Sequence, residues 1–112
     1  MDAMKYVWSR AFGKLWCDAE VQTTDDGKQF LIATIENDRR TLHNGKQYAQ
    51  RVVFRSFDPD DISIVDQLTK GSFLMVDGET DAVADKSSTG WWYANVRISG
   101  RIQEVIPSGD AR

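Results

Sequence analysis

The sequence predicts an all-β domain, a five-stranded barrel with one short helix between its third and fourth strands. Three observations carry this expectation. The stretch Gln47 to Phe57, QYAQRVVFRSF, sorts with period two into Tyr48, Gln50, Val52 and Phe54 on one face and Ala49, Arg51, Val53 and Arg55 on the other, as a half-buried strand requires. Similar runs of apolar residues recur before and after it, separated by turn signals. The period changes only once, at Asp58-Pro59-Asp60-Asp61, where a helix begins.

Taken in order, Lys5 to Val21 reads as one long strand region carrying Tyr6, Val7, Trp8, Ala11, Phe12, Leu15, Trp16 and Val21, with Gly13 marking a bend or bulge inside it. Asp25-Asp26-Gly27 is a hairpin turn signal. Gln29 to Glu36 is the second strand, apolar on both faces and therefore central, with Phe30, Ile32 and Thr34 opposite Leu31, Ala33 and Ile35. Residues 37 to 46 form a polar connection with turn chemistry at His43-Asn44-Gly45, and the Gln47 to Phe57 strand follows. Asp58 suits an N-cap, Pro59 the first helical position, and the acids Asp60 and Asp61 the positive end of the helix dipole. Ile62, Val65 and Leu68 supply the apolar stripe, flanked by Ile64, and Lys70-Gly71 closes the helix. Ser72 to Glu79 is a fourth strand, residues 80 to 90 a polar hairpin loop, and Trp91 to Ile98 a fifth strand that Arg101 to Ile106 extends past Gly100. Three strands, a helix and two strands is the order of the OB-fold, a five-stranded Greek-key barrel. Another small α+β barrel would use the same elements. The expected domain covers residues 1–106, with a polar tail at 107–112, and no internal repeat is visible.

A chain of 112 residues makes one domain with a modest core, and 41% hydrophobic with 28% charged residues is a globular composition. No apolar run reaches the length of a membrane span, so no membrane partner is expected. The N-terminus, MDAMKYVWSR, breaks any apolar core with charges, so no signal peptide is expected. The single cysteine, Cys17, cannot form an internal disulfide and fits a reducing compartment as a small buried or half-buried residue. The net charge of −3 conceals a polarised chain. Between Asp38 and Arg55 stand five cations (Arg39, Arg40, Lys46, Arg51, Arg55) and one acid, whereas between Asp58 and Asp85 stand eight acids and one cation, Lys70.

Several short motifs, in order, carry a resemblance. Phe12-Gly13-Lys14-Leu15 is similar to an apolar-Gly-x-Leu motif and Asp18-Ala19-Glu20-Val21 to Asp-Pro-Glu-Val. Phe30-Leu31-Ile32-Ala33-Thr34 is similar to Phe-Ser-Leu-Ala-Thr and Arg51-Val52-Val53-Phe54 to Arg-Val-Val-Leu/Phe. Leu68-Thr69-Lys70-Gly71-Ser72 is similar to Leu-Arg-Lys-Gly-Ser and Val76-Asp77-Gly78-Glu79 to Ile-Glu-Gly-x. Over roughly Lys5 to Val105 the chain thus resembles the bacterial single-stranded-DNA-binding (SSB) proteins. The resemblance implies a non-enzymatic, sequence-tolerant binder of single-stranded DNA, or RNA, in replication, repair or recombination. It also implies self-association as a dimer or tetramer through the first strand, which carries Tyr6, Trp8, Phe12 and Trp16 on even positions, replication proteins as further partners, and a cytoplasmic or nucleoid-associated location. At the positions where the family stacks bases on aromatics, this chain has Asp38, Ala49, Arg55 and Asp85. The sequence also ends at Arg112 without the family's long tail and acidic tip, like the primosomal replication protein N branch; phage, plasmid and plastid-type variants are other matches for a short form.

Catalytic readings are thin. The lone His43 lies in a turn with no second histidine or cysteine to complete a zinc site and no serine–aspartate pair to serve it. Asp58-Asp60-Asp61 is explained as helix N-terminal charge, and Asp77-Glu79-Asp81 as an exposed hairpin stem. The glycines are isolated, so no phosphate-cradling loop, metal or cofactor is expected. A binding surface is better supported, because single-strand binders combine a cationic groove with aromatic platforms. The candidates are Arg39, Arg40, Lys46, Arg51, Arg55 and Lys70, with Tyr48 and Trp91 as aromatics; an arginine such as Arg55 can itself stack on a base. Alternation puts Trp92 inside the barrel and Trp91 outside. Tyr48, Phe57, Trp91 and Tyr93 are also candidates for core or subunit contact. The competing reading is an OB-fold protein-interaction or oligomerisation module with weak or no nucleic-acid binding. The acid-rich 77–85 stretch favours that alternative, and the basic 39–55 stretch favours the binder.

Overall fold

The computed structural model describes residues 7–41, 43–45, 47–86 and 92–108, and side chains within these outside 37–40, 47–50, 82–86 and 92–95. Six strands, β1 (Val7–Leu15), β2 (Glu20–Thr23), β3 (Gln29–Thr41), β4 (Gln47–Ser56), β5 (Phe73–Lys86) and β6 (Trp92–Ile106), form one sheet in the order β1-β5-β6-β4-β3-β2. A further β1–β3 pairing closes it, and the only parallel pair among the described ladders is β4 with β6. With β1 and β2 counted as the two halves of one bent strand, this is the five-stranded barrel expected for an OB-fold.

The bend falls elsewhere than expected. β1 runs unbroken through Gly13, which pairs with Leu74 and is buried. The chain turns instead between Trp16 and Ala19. There, adjacent amides choose opposite partners: Leu15 N–H donates to Ser72 O (2.8 Å) and Trp16 N–H to Thr34 O (2.9 Å). Ala19 N–H then reaches Leu68 O (2.9 Å), so the corner is tied at both ends. Cys17 in this corner is exposed, not half-buried.

The period-two pattern sets the core. Ala11 and Leu15 of β1, Leu31, Ala33 and Ile35 of β3, Val52 and Phe54 of β4, Leu74 and Val76 of β5, and Ile98 of β6 are all buried together. The faces expected of β3 and β4 are therefore the ones adopted. Emptying the Phe54 position would cost about 3–5 kcal/mol, the usual loss for a buried phenylalanine.

Asp58 caps α1 (Pro59–Ser63), its carboxylate accepting from Asp60 N–H at 2.8 Å, with Pro59 in the first turn. The helix is shorter than the sequence suggests. It gives way at Ile64 to a 3-10 turn over Val65–Gln67, which drops Leu68 into the core before Gly71 (φ 93°) turns the chain into β5. Asp61 contributes more than charge at the helix start. It is 5% exposed and accepts from Ser56 Oγ (2.7 Å), Ile102 N (3.1 Å) and Arg101 Nε (3.3 Å), tying α1 to β4 and β6.

Two further expectations are corrected. β3 and β4 stay paired out to Thr41 and Gln47, through a bulge between Glu36 and Asp38, where a loop from 37 was expected. β5 likewise pairs with β6 as far as Lys86 and Trp92, through the stretch expected to be a loop from 80. Cross-strand ion pairing explains how so polar a segment stays in a sheet, since Asp81 lies opposite Arg97. β6 passes through Gly100 without a break, because Gly100 faces Gly78: a Cβ on Gly100 would stand 1.9 Å from Asp77 O, and one on Gly78 2.2 Å from Ser99 O.

Candidate functional site

The outer faces of β1, β3 and β4 meet beside the Trp16 corner. Registers align Phe73, Lys14, Glu36 and Arg51 as a row across β5, β1, β3 and β4. Arg51 is exposed on the face opposite Val52 and Phe54, as the alternation requires. Its guanidinium carbon lies 3.8 Å from the centroid of the Trp16 ring, and its Nε is 3.7 Å from Glu36 Oε2. The indole therefore holds the cation on one side. Trp16 also walls a cleft of about 280 Å³, bounded by Lys14, Leu15, Glu36, Lys70 and Gly71. Lys70 is exposed at the rim, its backbone N–H fixed by Asp18 Oδ1 at 2.8 Å. Lys14 Nζ lies 6.0 Å from the Phe73 ring, which stacks on Phe12 at 5.5 Å. The row thus carries two cations, Lys14 and Arg51, on either side of Glu36, with the Phe73 and Trp16 rings beside them.

Of the residues singled out in the sequence, Arg51 and Lys70 are brought to this one place. Arg55 is on the same face of β4 but set apart, beyond Val53, and half-buried. Its Nη2 donates to Ser99 Oγ at 3.2 Å, while its buried Nε meets no acceptor among the described residues. Arg39 and Arg40 pair through the backbone with Ala49 and Tyr48 in the outer part of the β3–β4 ladder. Lys46 and Trp91 lie outside the described residues, as do the side chains of Tyr48, Trp92 and Tyr93, so the expected inside-and-outside placement of Trp91 and Trp92 falls there too. Lys14 and Trp16 were not among the expected site residues. In the sequence both flank the apolar Leu15, and Trp16 continues the even spacing of Tyr6, Trp8 and Phe12, which reads as a subunit-pairing surface.

Two acids of the later acidic section are matched within the molecule. Asp77 takes two hydrogen bonds from Arg10 (2.9 and 3.1 Å), and Asp81 takes two from Arg97 (both 3.1 Å). The hydrogen bond to Asp77, and then its charge, raise the Arg10 guanidinium above its ordinary pKa. The segment read as an exposed acidic stem is, at Asp77 and Asp81, a set of forked ion pairs. Outside the row, Trp8 (69% exposed) and Phe12 (46%) share the outer face of β1, as their even spacing anticipates. Two wider clefts flank Phe57, whose ring packs on Phe30 at 5.3 Å. Among the described residues no group of three or more histidine, cysteine or acidic side chains is gathered to hold a metal, and no helix is long and apolar enough to cross a membrane.

No family model and no curated relative matches the sequence. Solved structures do match the fold. The small single-stranded DNA-binding protein from Streptomyces coelicolor superposes with a TM-score of 0.65 at 11% identity, covering 97% of this chain and 100% of that one. The mitochondrial single-stranded DNA binding protein Rim1 from S. cerevisiae gives 0.62 at 12% identity, covering 95% and 100%. The Plasmodium falciparum SSB, solved in complex with ssDNA, gives 0.58 at 13% identity, covering 89% and 92%. At such identities the shared property is the fold, an OB barrel over nearly the whole length of each chain.

Proposed function

We propose that this chain is a non-enzymatic, sequence-tolerant binder of single-stranded DNA. The observation that carries the reading is the exposed guanidinium of Arg51, on the barrel's outer face, held on an indole beside Lys14 and Lys70. A cationic track with aromatic groups is what an unpaired strand needs, since phosphates seek the charge and bases the ring faces. The fold supports the reading, because the neighbours named above are described as single-stranded-DNA-binding proteins. In this proposal Arg51, Arg55 and Lys70 contact the strand, with Arg39, Arg40, Lys46, Tyr48 and Trp91 as further contacts. The alternative, a pure protein-interaction module, rested on the acids at 77–85, and Asp77 and Asp81 are held by Arg10 and Arg97.

The proposal includes self-association through the outer face of β1, where Trp8 and Phe12 expose large apolar area in line. A monomer mass in light scattering at micromolar concentration would remove that part. The binding itself is tested by titrating fluorescent oligothymidine across a salt series. Log K should fall linearly with log salt, by about 0.7 per phosphate contact. Absence of binding at low salt would refute the reading.

A further inference from the structure

We infer that Trp16 is a stacking platform for one base of the bound strand, flanked by Lys14 and Lys70 for the adjoining phosphates. The inference rests on the proposed single-strand binding and assigns it a base site that the positions matching the family's aromatics, Asp38, Ala49, Arg55 and Asp85, do not supply.

Four observations converge on this residue. The indole is 41% exposed, yet its backbone is anchored where β1 changes partner, with the Leu15 and Trp16 amides bonded to opposite strands. A platform on so fixed a corner loses little freedom when a base lands on it. Arg51 lies over the ring at 3.8 Å, and the indole also bounds the 280 Å³ cleft beside it. The cleft has cations at Lys14 and Lys70 and a carboxylate at Glu36. That carboxylate already faces Arg51 at 3.7 Å, so the lysines are the charges left for phosphates, and the indole is the aromatic surface beside them. A base on the indole would have its adjoining phosphates within reach of these lysines. Stacking on an indole face is indifferent to sequence, as the proposed function requires.

The test compares two ligands of equal length, oligothymidine and an abasic deoxyribose-phosphate oligomer, at one salt concentration. The proteins are the wild type, Trp16→Ala and Trp16→Phe. Wild type should prefer oligothymidine. Trp16→Ala should lose roughly 5- to 100-fold of that preference, with abasic affinity unchanged. Trp16→Phe should keep most of the preference while losing part of the tryptophan quench that oligothymidine induces. Should Trp16→Ala not fold, the quench decides: a full-amplitude quench in Trp16→Phe overturns the inference. Equal losses of Trp16→Ala on both ligands would overturn it by making Trp16 only a perch for Arg51, and an unchanged preference would overturn it outright. If the wild type binds neither ligand, the single-strand reading fails with it, a result distinct from all of these.

Discussion

Two groups of arginines on this barrel have opposite surroundings. Arg10, Arg97 and Arg101, around β5 and β6, each point into carboxylates: Asp77, Asp81, and the pair Asp58 and Asp61. Arg51 and Arg55, on β4, rest instead on an indole and on a serine hydroxyl, with Glu36 only at 3.7 Å from Arg51. The first group spends its donors inside the molecule and fastens strands and helix together. The second retains donors, most plainly on Arg51, whose guanidinium is exposed. A count of charges along the chain cannot make this distinction, because it treats every arginine alike; the cross-strand partner decides which cation remains for a ligand.

The contrast can be broken at both ends. The largest effect should come from Asp61→Ala, which strips the acceptor from the Ile102 amide, the Ser56 hydroxyl and the Arg101 guanidinium at once. At about 1–3 kcal/mol for each buried group left unpaired, the variant should lose roughly 3 kcal/mol in chemical denaturation. A loss confined to a few tenths would mean that this group of arginines is not structural. Arg97→Ala should be far milder, about 0.2–1 kcal/mol, because its pair with Asp81 is solvent-exposed and screened by salt. A melt in high salt should shrink even that difference, and an Arg97→Ala effect as large as that of Asp61→Ala would contradict the ranking.

Much of this was legible in the residues. Alternation in QYAQRVVFRSF identifies both the core pair Val52 and Phe54 and the outward Arg51, because in a strand the side-chain period is a local property. Asp58-Pro59 likewise announces its helix through local capping chemistry. What stayed hidden depends on partners distant in sequence. Nothing in Trp16-Cys17-Asp18-Ala19 announces a corner, since its cause is a change of hydrogen-bond partner from Ser72 to Thr34. The polar run after Glu79 reads as a loop until Arg97 is placed across from Asp81. Lys14 and Trp16 escaped for the same reason: only the β1–β3 and β3–β4 registers bring them beside Arg51.

The claim that the β4 arginines remain for a ligand while Arg10 and Arg97 are engaged by carboxylates of β5 is tested most directly by salt dependence. The wild type, Arg51→Ala with Arg55→Ala, and Arg10→Ala with Arg97→Ala should be titrated with oligothymidine across the same salt series. Each lost phosphate contact flattens the slope of log K against log salt by about 0.7. The Arg51 and Arg55 pair of changes should therefore flatten it by about 1.4, and the Arg10 and Arg97 pair should leave it as in the wild type. A flattened slope in the Arg10 and Arg97 variant, with the wild-type slope retained when Arg51 and Arg55 are gone, would contradict the account.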